Sequence, residues 1–155
     1  MSRDLPRGGV PGHTAGVGAE RGAADRNTTP GDTMLVKDVA EAQPVAAADM
    51  SQIRELLHPA RDGADLGYSL AHARVRAGAS TLPHALTHSE VYYVLDGRGV
   101  MHVGGESQRV RAGHAVCVPP GETQWIENTG AADLAFLCIV SPPWTPECEA
   151  GAAPR

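Results

Sequence analysis

Two short segments, read as a pair, constrain this chain more than anything else in it. The first runs from Gly78 to Gly97, GASTLPHALTHSEVYYVLDG; the second runs from Gly113 to Asn128, GHAVCVPPGETQWIEN. In the first, His84 and Glu90 are spaced along a β-rich stretch bounded by glycines. In the second, a strand runs into Pro119-Pro120-Gly121, and Gln124 follows just after. Side chains of a strand alternate faces, so His84 and position 86 share a face. Glu90 then points inward, with Tyr92 and Val94 after it, and Gln124 enters from a facing sheet. A small β-barrel gathers His, carboxylate and amide groups around one metal ion in this way.

The rest of the chain from Tyr68 reads as strands and turns. Tyr68 to Arg76, Val91 to Leu95 and Gly99 to Val103 are strands, the last two joined by Asp96-Gly97-Arg98. Gly104-Gly105 turns the chain, Ala115 to Val118 is a short buried strand, and Gln124 to Glu127 follows before the Asn128-Thr129-Gly130 turn. Leu134 to Val140 is a continuous apolar run that fits a strand buried on both faces. Pro142-Pro143 ends the fold. Ser51 with Glu55 behind it resembles a helix N-cap, so Gln52 to Leu57 is expected as a short helix outside the barrel, stopped by His58-Pro59. Many short strands with one helix predict an all-β double-sheet jelly roll. There is no internal repeat, so one barrel is expected.

The paired segments resemble the two motifs of the cupin family. Gly78, His84, Glu90 and Gly97 fall on the first motif, and Gly113, Pro119, Gly121 and Asn128 on the second. The resemblance covers roughly residues 68–144. It implies a double-stranded β-helix, the cupin jelly-roll barrel, with a metal site of three His and one Glu. Two of those positions differ here: the second His of His-x-His is Leu86, and the His of the second motif is Gln124. The resemblance therefore implies His84, Glu90 and Gln124 as metal ligands.

A His nitrogen with carboxylate and amide oxygens suits iron, manganese, nickel, zinc, cobalt or copper in the divalent state. Three protein ligands leave positions open for a substrate, as Lewis-acid catalysis requires. The other reading is a lost metal site, in which the three side chains hydrogen-bond one another or a ligand. His88 shares the face of His84 and Glu90 if the segment stays extended, and would replace the His missing at position 86; otherwise it faces solvent from a loop. Glu90, Tyr92 and His88 are the candidate proton movers. Leu86, Phe136 and Cys138 are expected to line the pocket, Cys138 as a small hydrophobe or a pocket thiol. His72 and His102 lie in strands and could reach the interior, although a strand His more often has a structural role. His114 is a turn residue, and His13 and His58 carry no chemistry. Tyr93, Trp125 and Trp144 are expected to pack.

Composition narrows the classes further. The chain has 155 residues, a formal net charge of −5 and a pI near 5.7. Without Lys/Arg clusters, it lacks the footprint of a nucleic-acid or anionic-membrane binder. No apolar run approaches the ~20 residues of a membrane helix. No signal pattern opens the chain, and Cys117, Cys138 and Cys148 suit reduced thiols, so a cytoplasmic protein is expected. Residues 1–32, rich in Gly, Ala, Pro, Arg and Asp, are expected to be a disordered tail, or to precede a true start at Met34. The single domain is placed at 33–147, with a tail from 148 to 155. No nucleophile triad, phosphate loop or dinucleotide fingerprint is present.

Two functions follow from this reading. One is a metal-dependent enzyme on a small oxygenated metabolite, of dioxygenase, decarboxylase, isomerase or cyclase type. The other is a metal-free barrel that binds a small acid or sugar. A homodimer is expected, because pairing covers an open sheet edge.

Overall fold

The structure, a computed structural model, describes residues 34–150. The expected N-terminal tail therefore lies outside the described residues. The strands are β1 (Val45–Ala46), β2 (Gln52–Leu57), β3 (Ser69–Val75), β4 (His84–Leu86), β5 (Ser89–Asp96), β6 (Arg98–Val103), β7 (Glu106–Arg111), β8 (Ala115–Val118), β9 (Thr123–Asn128), β10 (Leu134–Ser141) and β11 (Glu149–Ala150). They form two antiparallel sheets, in the orders β1-β2-β3-β10-β5-β8 and β11-β4-β9-β6-β7. This is the expected all-β jelly roll. No helix of the described residues is long and apolar enough to cross a membrane.

Alternation builds the core. Val75, Tyr92, Val94, Val118, Leu134 and Phe136 point inward from the first sheet, and meet Met101, Val110 and Ile126 from the second. Tyr92 and Phe136 are tilted against each other with ring centroids 5.1 Å apart. Gly99 is the close-approach point: a side chain there would run into the Glu127 carbonyl and the Leu134 side chain. Gly97 turns β5 into β6 at φ 85°, a conformation that glycine adopts without cost. Asn128, 2% exposed, ties the two sheets together: its Nδ2 donates to the Val75 and Ala132 carbonyls, and its Oδ1 accepts from the Gly130 N–H.

Three expectations are corrected. Gln52–Leu57 is a strand paired with β3, not a helix. Ile53, Leu56 and Leu57 fit a helical period, but six residues are too few to hold a helix alone, and the free edge of β3 offers a full ladder. Ser51 caps nothing helical and bonds Asp49 instead. Among the described residues the one α-helix is α1 (Pro59–Asp62); Pro59 starts it rather than stopping one, behind the side chain of His58 as N-cap. At the other end, residues 148–150 of the expected tail join the fold. Cys148 is buried and β11 pairs with β4. Finally, β10 is not sealed on both faces. Leu134, Phe136, Cys138 and Val140 are buried, while Ala135, Leu137 and Ile139 between them are half-buried. Its apolar continuity reflects its central place between β3 and β5.

Candidate functional site

Register brings three of the predicted residues together. His84 on β4 lies directly across from Gln124 on β9, and Glu90 reaches in from β5 of the opposite sheet. Glu90 is 5% exposed and Gln124 is fully buried. The Gln124 Nε2 donates to Glu90 Oε2 at 2.7 Å. The Gln124 Oε1 is also buried but has no partner. His84 Nδ1 lies 3.0 Å from the Leu82 carbonyl. A carbonyl can only accept, so Nδ1 carries a proton, and in the neutral ring Nε2 presents a lone pair.

Burial pushes the Glu90 carboxyl above its ordinary range; Cys138, Gln124 and His84 pull it back, and the Asp49 charge adds to the rise. Burial also drives the Tyr92 phenol and the Cys138 thiol well up, helped by the Glu90 charge. Tyr92 and Cys138 are therefore neutral hydrogen-bond donors at physiological pH. Cys138 is no thiolate nucleophile.

Asp49 is the residue that sequence reasoning missed. It sits in the turn between β1 and β2. Its Oδ1 accepts from the Ser51 N–H and hydroxyl, and its carbonyl accepts from Leu82 N–H at 2.7 Å, two residues before His84. Its charge reaches Glu90, Tyr92 and Cys138. Asp-x-Ser is a local turn signal, but nothing local shows that this turn docks beside the site.

Other candidates are placed elsewhere. His88 lies in the bend between β4 and β5, so the extended path that would align it with Glu90 is broken. The two strands belong to different sheets, and the chain must turn between them. The His88 Nδ1 is buried and unpartnered. Leu86, 3% exposed, packs with Val140, Cys148 and Trp144 in a separate apolar cluster. Phe136 is core, packed on Tyr92. His72 and His102 alternate with inward residues and face outward, not into the barrel. His102 stacks on Trp125 at 4.3 Å and meets Ser107 Oγ at 2.7 Å. His58 is buried, with Nε2 2.8 Å from the Trp144 carbonyl.

Among the described residues, no group of three or more His, Cys, Asp or Glu is arranged to hold a metal. A cation site here therefore needs the Gln124 amide oxygen. The residues fit one on that condition: His84 Nε2, a Glu90 oxygen and the orphaned Gln124 Oε1 are all lone-pair donors, of a hard-to-borderline type.

A family model described as a cupin domain matches residues 71–140. The chain is 41% identical over 106 residues to an uncharacterised protein of Methanocaldococcus jannaschii, covering 68% of this chain and 84% of that one. It is 33% identical over 90 residues to a tetracenomycin polyketide synthase protein of Streptomyces glaucescens, covering 57% of this chain and 60% of that one. Among solved structures, it is similar to a predicted oxalate decarboxylase from Thermotoga maritima, with TM-score 0.61 and 28% identity, over 70% of this chain and 99% of that one.

Proposed function

The chain belongs to the cupin family, and from that membership we propose that its barrel holds one divalent metal ion and acts on a small oxygenated metabolite. The ligands are His84 Nε2, a Glu90 oxygen and Gln124 Oε1. The observation that carries this reading is the fully buried Gln124 Oε1 with no hydrogen-bond donor. A buried acceptor left unpaired costs ~1–3 kcal/mol, and a cation would relieve it. The similarity to proteins described as a predicted oxalate decarboxylase and a polyketide synthase protein supports chemistry on carboxyl, carbonyl or enol groups.

When bound, the metal would polarise a substrate oxygen as a Lewis acid. The chain's own residues do the rest. The Gln124 amide N–H holds Glu90 in one orientation. The Leu82 carbonyl fixes the His84 tautomer. Tyr92, kept protonated by burial, donates to a developing oxyanion. In the metal-free site burial raises the affinity of Glu90 for a proton, so there it is the group to take and return one. Dioxygenase, decarboxylase, isomerase and cyclase reactions all fit these roles.

A second reading has its own observation. Gln124 Nε2 already satisfies one Glu90 oxygen, and Leu86, at the motif's second His position, supplies no ligand and packs in the separate apolar cluster. In that reading the site binds a small acid or sugar without metal.

Elemental analysis of protein purified without a His-tag separates the two. Near-stoichiometric metal is expected in the wild type, with a loss of about tenfold or more in His84→Ala. A wild type that stays metal-free after reconstitution with each candidate ion leaves the metal-free reading. We also propose a cytoplasmic homodimer, supported by the open edges β1 and β8 of the first sheet. A sedimentation mass of one chain would sink the dimer.

A further inference from the structure

Away from the barrel donors, a cavity of about 510 Å³ is lined by Arg98, Gly99, Arg109, Val110, Arg111, His114 and Thr129. Strand alternation accounts for the convergence. Val110 is buried, so Arg109 and Arg111 on either side of it face outward from β7; Gly99 is buried, so Arg98 faces outward from β6. Arg98 pairs directly across from Arg111, and Val100 across from Arg109, which puts Arg109 on the diagonal from Arg98. All three arginines are exposed, and half-buried His114 also lines the cavity.

Like charges directly opposite in a ladder destabilise it. Among the described residues, no carboxylate forms an ion pair with any of the three. Elsewhere among the described residues, most basic side chains have partners: Lys37 with Asp62, Arg61 with Glu55, Arg74 with Asp133, and Arg54 with the Ala42 carbonyl and Gln52, while exposed Arg76 stands alone. Arg98 and Arg109 have no ion pair or side-chain hydrogen bond there, and Arg111 reaches only the carbonyl of its neighbour Ala112 at 3.3 Å. An acidic chain of net charge −5 thus gathers three uncompensated guanidinium groups on one rigid hairpin. The planar fork of arginine matches the oxygens of phosphate and carboxylate in pairs.

We propose that this cavity is a second ligand site, separate from the barrel donors, that takes a small molecule bearing a compact oxyanion, either a phosphorylated or a polycarboxylic compound. Arg98 and Arg111 grip the anion from the two strands, Arg109 adds charge from the diagonal, and the Thr129 hydroxyl and His114 complete the rim. Binding removes the cross-strand repulsion, so the anion also stabilises the hairpin.

The test uses the full chain, with pyrophosphate and citrate titrated separately by calorimetry at constant ionic strength. Saturable binding of at least one is expected, and the tighter of the two identifies the ligand class. Arg98→Gln/Arg111→Gln should weaken it by at least about tenfold and melt no lower than wild type, since a like-charge pair is relieved. Arg76→Gln, an exposed arginine outside the cavity, and His84→Ala, at the barrel donors, should bind as wild type. The proposal is overturned if neither anion saturates, if the double variant binds unchanged, or if Arg76→Gln weakens binding equally. Loss of binding in His84→Ala also overturns it, because the anion would then sit in the barrel.

Discussion

Glu90→Gln is expected to make the metal-free barrel more stable above neutral pH and, at the same time, to cost it about 100-fold or more in metal affinity. The two effects share one cause. Glu90 is almost fully buried, and burial raises its carboxyl above the ordinary value of 4.5. A carboxyl raised on folding binds more protons in the native state than in the unfolded one. Stability from this group is therefore fully present below about pH 4.5 and falls as pH rises toward the native value. Gln is neutral at every pH and close in shape, and its amide can donate to the orphaned Gln124 Oε1. The gain should be about 1–3 kcal/mol, the cost of a buried group without full compensation. A bound cation reverses the trend: it takes the place of the proton, so metal uptake releases one and strengthens as pH rises. Thermal melts of both proteins with chelator, from about pH 5 to about pH 8, followed by melts with metal, read out all of this. Parallel pH profiles for the two chelated proteins would show that Glu90 is not held in its neutral form.

Phe136→Ala should cost about 3–5 kcal/mol, against a total of about 5–15 kcal/mol for a domain of this size. Phe136 is 1% exposed, lies on the strand between β3 and β5, and packs against Tyr92. Its loss opens a cavity under the Tyr92 ring. Urea unfolding measures the loss. A change below about 1 kcal/mol would mean the ring lines an open pocket instead of the core, and would turn the variant into a probe of ligand binding.

The sequence made most of the barrel legible, and physical reasons decide where it did not. Gly97, Gly113, Pro119 and Gly121 punctuate the strands so firmly that β5, β6, β8, β9 and β10 could be read within a residue or two. The same spacing brought out His84, Glu90 and Gln124, which β4, β5 and β9 carry to one place. Gln52–Leu57 was ambiguous because its apolar positions serve either period; only the neighbouring edge of β3 decides it. His88 was left with two positions because alternation holds only while a strand continues, and the bend after Leu86 ends it. Asp49 and β11 were invisible for a common reason. Each is fixed by a partner far away in sequence, Leu82 for the first and Leu86 for the second.

The placement of β10 also governs how the molecule assembles. Residues 134–141 insert between residues 69–75 and 89–96, pairing Leu134 with Val75 and Val140 with Glu90. Until that late segment arrives, β3 and β5 each present an unpaired edge, and no ordering of the earlier residues can complete the first sheet. Such high contact order places the barrel among slow folders, roughly milliseconds to seconds. A nascent chain emerging from the ribosome would hold two unpaired strand edges from residue 96 until residue 134, the interval in which a chaperone has most to protect.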